Sequence, residues 1–381
     1  MADNKLFSIG TLLSLIKDNA RQAAGELKEV YALLSELHNT NRTLSQTDLT
    51  RIGENAVDTA SKYGRSTAEY LSAVLNANRM GHKNAEGFAE LSLALQNTCD
   101  ISADLAMQYL LAADHAFAMN GSVKELTQTL DGTCRLTDRH ALSMSKLAEG
   151  LTAVSMQAAA SGMDVQETTA ALSALLATTE LSGSETGNAL AGLLTYLQQI
   201  TGTINGTEID AASLSDYENA CNSLGVSLYE TKKGIIGLKE PMQIVKELSE
   251  TYCTLDRTNS KRTSLLEAVG SDPDQASALD ALLTNYSLYE KMLQEYANGT
   301  GSFAAEAEKA ADTWEGSLNR LSNTWTDTVR KLVPTDAVIT AVNGLNGILS
   351  VINNITDKTN AFSTVGALSG LLMYTKGIGE A

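Results

Sequence analysis

The sequence predicts a mainly α protein, an elongated array of short capped helices with one longer helix and room for one small β-hairpin. Three observations carry this. Hydrophobic residues make up 43% of the 381, but aromatics only 5%, so the apolar share rests on Ala and Leu, which favour helices over sheets. Only 3 prolines occur, so little in the chain interrupts a helix. Helix-start signals also recur at short intervals, several of them a Ser or Asp followed three residues later by Glu: Ser66 with Glu69, Ser122 with Glu125, Asp164 with Glu167 and Ser182 with Glu185.

Residues 1–47 read as an N-terminal helical segment. Their opening, MADNKLFSIGTLLSLIKDN, lacks a basic leader and a small-residue cleavage site, so no signal peptide is expected. Residues 48–200 form a helical core, with apolar residues at helical spacing: Leu105, Tyr109, Ala112 and Ala116 in one segment, Leu142, Leu147, Leu151 and Val154 in another. Gly64, Gly81, Gly121, Gly162 and Gly183 fall near the junctions. Residues 201–300 start with the polar loop TGTINGTEIDAAS and continue into GVSLYETKKGIIGL, where a Lys-Gly pair between two short apolar runs fits a β-hairpin. Helical spacing resumes at Pro241 and breaks at VGSDPD, where Asp272 and Pro273 stop it. Residues 301–335 read as the longer helix, in which Trp314, Leu318, Leu321, Trp325, Val329 and Leu332 fall on one coiled-coil-like stripe. Residues 336–381 are apolar and Gly-rich. The uncharged run AFSTVGALSGLLMYT at 361–375 is shorter than the roughly 20 residues a spanning helix needs, so an interfacial or partner-binding role is expected.

The stretch SGMDVQETTAALSALLATTELSGSETGNALAGLLTYL poses the main chemical question, because its second half opens on glycines. A nucleotide-phosphate loop needs a Lys and a Ser or Thr after its last glycine, whereas Gly187 is followed by Asn188 and Ala189. The spacing of Gly183, Gly187 and Ala191, four apart, instead thins one face of a helix so that another can approach. A tight helical hairpin with the preceding helix is the expected consequence.

Other chemistry finds little support. A net charge of -17 is the wrong sign for gripping a phosphate backbone, so no sequence-specific nucleic-acid binding is expected. Cys99, Cys134, Cys221 and Cys253 show no metal-knuckle or redox spacing. His38, His82, His115 and His140 include no H-E-x-x-H pair and no partner at ligand spacing, so neither a metal nor a cofactor is expected. The S-x-x-K matches at Ser14 to Lys17 and Ser143 to Lys146 lack the companion motifs of acyl-serine chemistry, and the chain is read as noncatalytic.

Residues 48–200, above all KLAEGLTAVSMQAAASGMDVQETTAALSALLATTELSGSETGNALAGLL, resemble the core region of phage tail tape measure proteins. A helix ending in alanines leads to Gly162, then an acidic capped helix with Glu167, then the turn Gly183, Ser184, Glu185 and Gly187 opening a helix with Leu190. The downstream order is similar too: the Lys-Gly segment, the helix at PMQIVKELSE, the AVGSDP break, AADTWEGSLNRLSNTWTDTV and an apolar tail. Glu180 departs from the glycine often found in that family's turn. The resemblance implies a virion structural protein of a phage or prophage, made in the host bacterial cytoplasm and carried in the virion tail. Its implied work is tail assembly, tail length determination in the tube lumen, and a part in genome ejection. Implied partners are further copies of itself, tail assembly chaperones, and tail tube and tail tip proteins, with membrane contact by the 361–375 run on ejection. If every residue were helical, the chain would reach about 570 Å. The alternative is a secreted helical toxin or effector that uses the Trp314–Gly316 motif WEG and a membrane-active C-terminal segment.

Overall fold

The computed structural model describes residues 26, 28–82, 84–99, 101–197, 215–232, 235–269, 272–301, 303, 307 and 323. The stripe from Trp314 to Leu332 and the 361–375 run lie outside these residues. The described part is mainly α, with a single two-stranded antiparallel sheet among the described residues. It divides into two compact units, one containing residues up to Gly81 together with the chain from Ala311, the other His82–Ala310.

In the first unit, a helix α1 over 28–40 is followed by α2 (Gln46–Lys62) and α3 (Thr67–Arg79). Ser45 with Asp48 and Ser66 with Glu69 each close a reciprocal capping box, satisfying backbone donors that a helix start otherwise leaves open. Leu49, Ile52, Gly53, Ala56 and Ala60 make the buried stripe of α2, at the three- and four-residue spacing of one helix face. The turn into α3 is tied by a residue distant in sequence. The fully buried Asn323 amide accepts from the Thr67 backbone N–H (3.1 Å) and Oγ1 (2.9 Å), and donates to the Arg65 carbonyl (2.8 Å) and Ser61 Oγ (3.2 Å).

The second unit holds α4 (Ala85–Cys99), α5 (Ala103–Ala116), α6 (Val123–His140), α7 (Met144–Ala160), α8 (Val165–Thr178), α9 (Gly183–Leu197) and α10 (Asp216–Ser223), then β1 (Tyr229–Lys232) and β2 (Ile235–Leu238). It continues through α11 (Pro241–Tyr252), α12 (Ser260–Ala268), α13 (Pro273–Thr284) and α14 (Tyr286–Ala297). The strands pair from Tyr229 opposite Leu238 to Lys232 opposite Ile235, while Lys233 and Gly234 lie outside the described residues. Helix α7 lies at the centre, against α5, α8 and α9, while α13 and α14 return to cover α9 and α8. The buried residues of α5 are Ala106, Met107, Tyr109, Leu110, Ala113 and Asp114, set between α4 and α7; of the helically spaced apolar residues Tyr109 is buried, and Leu105, Ala112 and Ala116 are half-buried.

Helix ends follow local chemistry. Gly162 (φ 85°) follows α7 in a left-handed conformation that lets the Gly162 and Met163 N–H groups reach the Ala159 and Ala158 carbonyls, both at 3.0 Å. Asp272 caps α13 with Pro273 in its first turn, so the residues that break the pattern also start the next helix. Ala141 holds the corresponding left-handed position after α6 without a glycine's freedom (φ 50°).

Candidate functional site

The glycine-rich opening of α9 makes a close helix contact in the second unit. A Cβ on Gly187 would stand 2.4 Å from the Gly150 carbonyl oxygen and 2.8 Å from the Ala153 Cβ. One on Gly183 would meet the Lys146 carbonyl oxygen at 2.2 Å. Bare backbone therefore touches bare backbone where α9 crosses α7, and any side chain would drive the helices apart. The helix that receives this face is α7, two helices back, and not the immediately preceding α8. Chain connectivity suggested α8, but α8 spends its buried Thr168, Thr169, Ala171, Leu172 and Leu175 on several neighbours, including α14.

The other motif residues lie at the end of α7, on α8 and along α9. Gly162 ends α7, and Leu190 is buried one turn along α9, while Ala191 is half-buried and Ser184 and Glu185 face solvent. Ser182 and Glu185 bond reciprocally, Ser182 N–H to Glu185 Oε2 at 2.8 Å and Glu185 N–H to Ser182 Oγ at 3.3 Å. Hydrogen bonds from the Ser182 backbone N–H and hydroxyl hold the Glu185 carboxyl below its ordinary range. Glu167 closes the equivalent box on α8 with Asp164, yet burial pushes its carboxyl up and outweighs the same hydrogen bond. Thr168, Thr169 and Thr186 turn their hydroxyls back to the carbonyl four residues earlier, so these small polar residues enter the helix interfaces satisfied.

A second close contact lies where α14 meets α6. The Tyr296 ring rests on Gly132, where a Cβ would come within 2.6 Å of it, and Asp131 Oδ1 accepts the Phe303 backbone N–H at 2.9 Å. Nearby, His140 Nε2 and Glu295 Oε2 are 2.6 Å apart.

The groups with chemical potential are used structurally. Ser143 Oγ caps α7 by accepting the Lys146 N–H, and the Lys146 ammonium reaches the Leu181 carbonyl at 3.4 Å, so this S-x-x-K pair serves the crossing. Ser14 and Lys17 lie outside the described residues. Burial pushes the Cys221 thiol up to about 12, leaving no thiolate at neutral pH. Tyr252, also raised to about 12 chiefly by burial, donates to Asp280, which Arg262 pairs at 3.0 Å while its guanidinium lies 4.0 Å above the Tyr252 ring. That trio links α11, α12 and α13.

One constellation escaped the sequence. His82, Asp114 and His115 come together so that one ligand atom from each lies within 4.8 Å of the others. His82 stands just before α4 and the other two near the end of α5, and no motif spacing relates them. The adjacent Asp114–His115 pair was the only local hint.

A family model described as phage-related minor tail protein matches residues 54–283, more than half of the chain. No solved structure matches it.

Proposed function

The chain belongs to the phage-related minor tail protein family and is a structural component of the phage tail, and from that premise we propose that it is a tape measure-type protein. In this reading it occupies the tail tube lumen, helps to set tail length and takes part in genome delivery, without catalysis. The observation that carries the proposal is the coincidence of the family match with the ordered series of capped helices. The match runs through the Gly162, Glu167 and Gly183–Leu190 segment on which the tape measure resemblance rests. The packing supports it as well, because an array of short helices joined at glycines can be drawn out helix by helix without breaking a large sheet.

Tail tube and tail tip proteins, assembly chaperones and further copies of the chain are the partners this reading requires. The large exposed hydrophobic side chains among the described residues are Met80 (52% exposed) and Met156 (68%). Sticky surface for chaperones would therefore come largely from opened helices, not from the packed state. No described helix is long and apolar enough to cross a membrane. The toxin alternative depended on the Trp314–Gly316 motif and the 361–375 run, and the family match favours the tail reading over it. Co-expression with the tail tube protein and its chaperone tests the proposal: the tape measure reading expects stable co-purification with the chaperone before assembly and recovery inside purified tubes afterwards. A chain found only at the outer surface of the tip would overturn it.

A further inference from the structure

We propose that His82, Asp114 and His115 form a binding site for a divalent transition-metal ion of the zinc class. Two imidazoles and one carboxylate are a donor set that suits Zn²⁺, Co²⁺ and Ni²⁺ and is too nitrogen-rich for Mg²⁺ or Ca²⁺. The carboxylate is already oriented: Asp114 Oδ1 accepts the Gly121 backbone N–H at 2.7 Å, which leaves Oδ2 turned to His82 Nδ1 at 3.5 Å. That separation is long for a hydrogen bond between a ring N–H and a carboxylate. It is close to the roughly 3.3 Å between neighbouring ligand atoms of a tetrahedral zinc with bonds of about 2.0–2.1 Å.

The His82 ring is held by packing, with Nδ1 toward the Asp114 carboxylate. Its side chain is only 5% exposed, wedged between Phe88 (ring centroids 4.2 Å apart) and the nearly parallel ring of His115 (5.1 Å, 12°), and its buried Nε2 has no hydrogen-bond partner. Burial pulls the His82 ring below its ordinary pKa, against the opposing pull of the Asp114 carboxylate. His115 is exposed. It gives the ion a route in from solvent and can swing inward to close the set, leaving one coordination position for water. Bound metal would pin the chain just before α4 to the end of α5 and to the left-handed turn Ala118, Asn120, Gly121 that follows it.

The site stands whether or not the chain measures tail length, so its test is separate. Untagged full-length protein, stripped with a chelator, is titrated with Co²⁺ while visible d–d absorption is followed, and then with Zn²⁺ in competition. The expected result is one equivalent bound, displacement by Zn²⁺ and not by Mg²⁺, and a rise in thermal midpoint with Zn²⁺. His115→Ala, a surface change that leaves the fold intact by circular dichroism, should weaken Zn²⁺ binding at least about tenfold. His38→Ala should change nothing. Absence of binding at millimolar metal, binding untouched by His115→Ala, or equal displacement by Mg²⁺ would each overturn the assignment.

Discussion

Replacing Gly187 by alanine tests the close crossing of α7 and α9 with a single methyl group. In an unconstrained helix the change from Gly to Ala stabilises by about 1 kcal/mol. At Gly187 the new Cβ would stand 2.4 Å from the Gly150 carbonyl oxygen, 2.8 Å from the Ala153 Cβ and 2.9 Å from the Gly150 Cα. Two of these atoms are backbone and the third is fixed to it, so relief requires the helices to separate by most of an ångström. Overpacking of that kind costs about 1–3 kcal/mol, and the helices also lose part of their dispersion contact as they part. The net expectation is a loss of about 1–2 kcal/mol, or a thermal midpoint lowered by about 2–8 °C. Gly192, on the same helix, is the control. A Cβ there would meet the side-chain amide of Gln275, at 2.2 Å from Nε2, and that end can swing away. Gly192→Ala should therefore be neutral or stabilising by up to about 1 kcal/mol. Urea denaturation of both variants followed by far-ultraviolet circular dichroism makes the comparison. If Gly187→Ala were as stable as the parent, the crossing would not be as close as described and the reasoning would fail.

Asn323→Ala should destabilise the first unit by about 1–3 kcal/mol by stripping partners from the buried turn; Asn323→Asp should cost more, since a carboxylate oxygen would then face the Arg65 carbonyl, and limited proteolysis near residue 65 would reveal either. Ala141→Gly should stabilise by about 1 kcal/mol by relieving the left-handed backbone after α6, and an unchanged urea midpoint would show that no strain resides there. His82 supplies a pH signature. Its folded-state pKa lies below the ordinary 6.5, so its contribution is present above that pH and is lost as pH falls through the folded value. In chelator, the stability difference between the parent and His82→Gln should be flat above about pH 7 and shrink below about pH 6; a difference that grows on acidification would contradict the sign.

Much of the fold was legible because its signals are local. Ser66, Asp164 and Ser182 with their glutamates mark helix starts through bonds spanning three residues, and the structure shows each pair closing both ways. Ser122 caps α6 by accepting the Glu125 N–H. The Lys-Gly hairpin and the Asp272–Pro273 restart are local in the same sense. Partner choice is not. The spacing of Gly183 and Gly187 marks a thin helix face, but nothing within α9 says that α7 and not α8 lies against it. The His82, Asp114 and His115 cluster was hard to see because its halves stand 32 positions apart in sequence with the whole of α4 between them, and only packing joins them. The Asn323 clasp is a stronger case, bridging 256 residues to Thr67.

The most direct test of the tape measure proposal is tail length itself. In-frame deletions and duplications of whole helices, introduced into the phage or prophage that encodes the chain, give a series in which residue number is the only variable. Tail length is read by electron microscopy of the variants that assemble. The proposal predicts a straight line with a slope of about 1.5 Å per residue, the rise of an α-helix. Tails of constant length across the series would contradict it, leaving a minor tail protein that is built into the tail without measuring it.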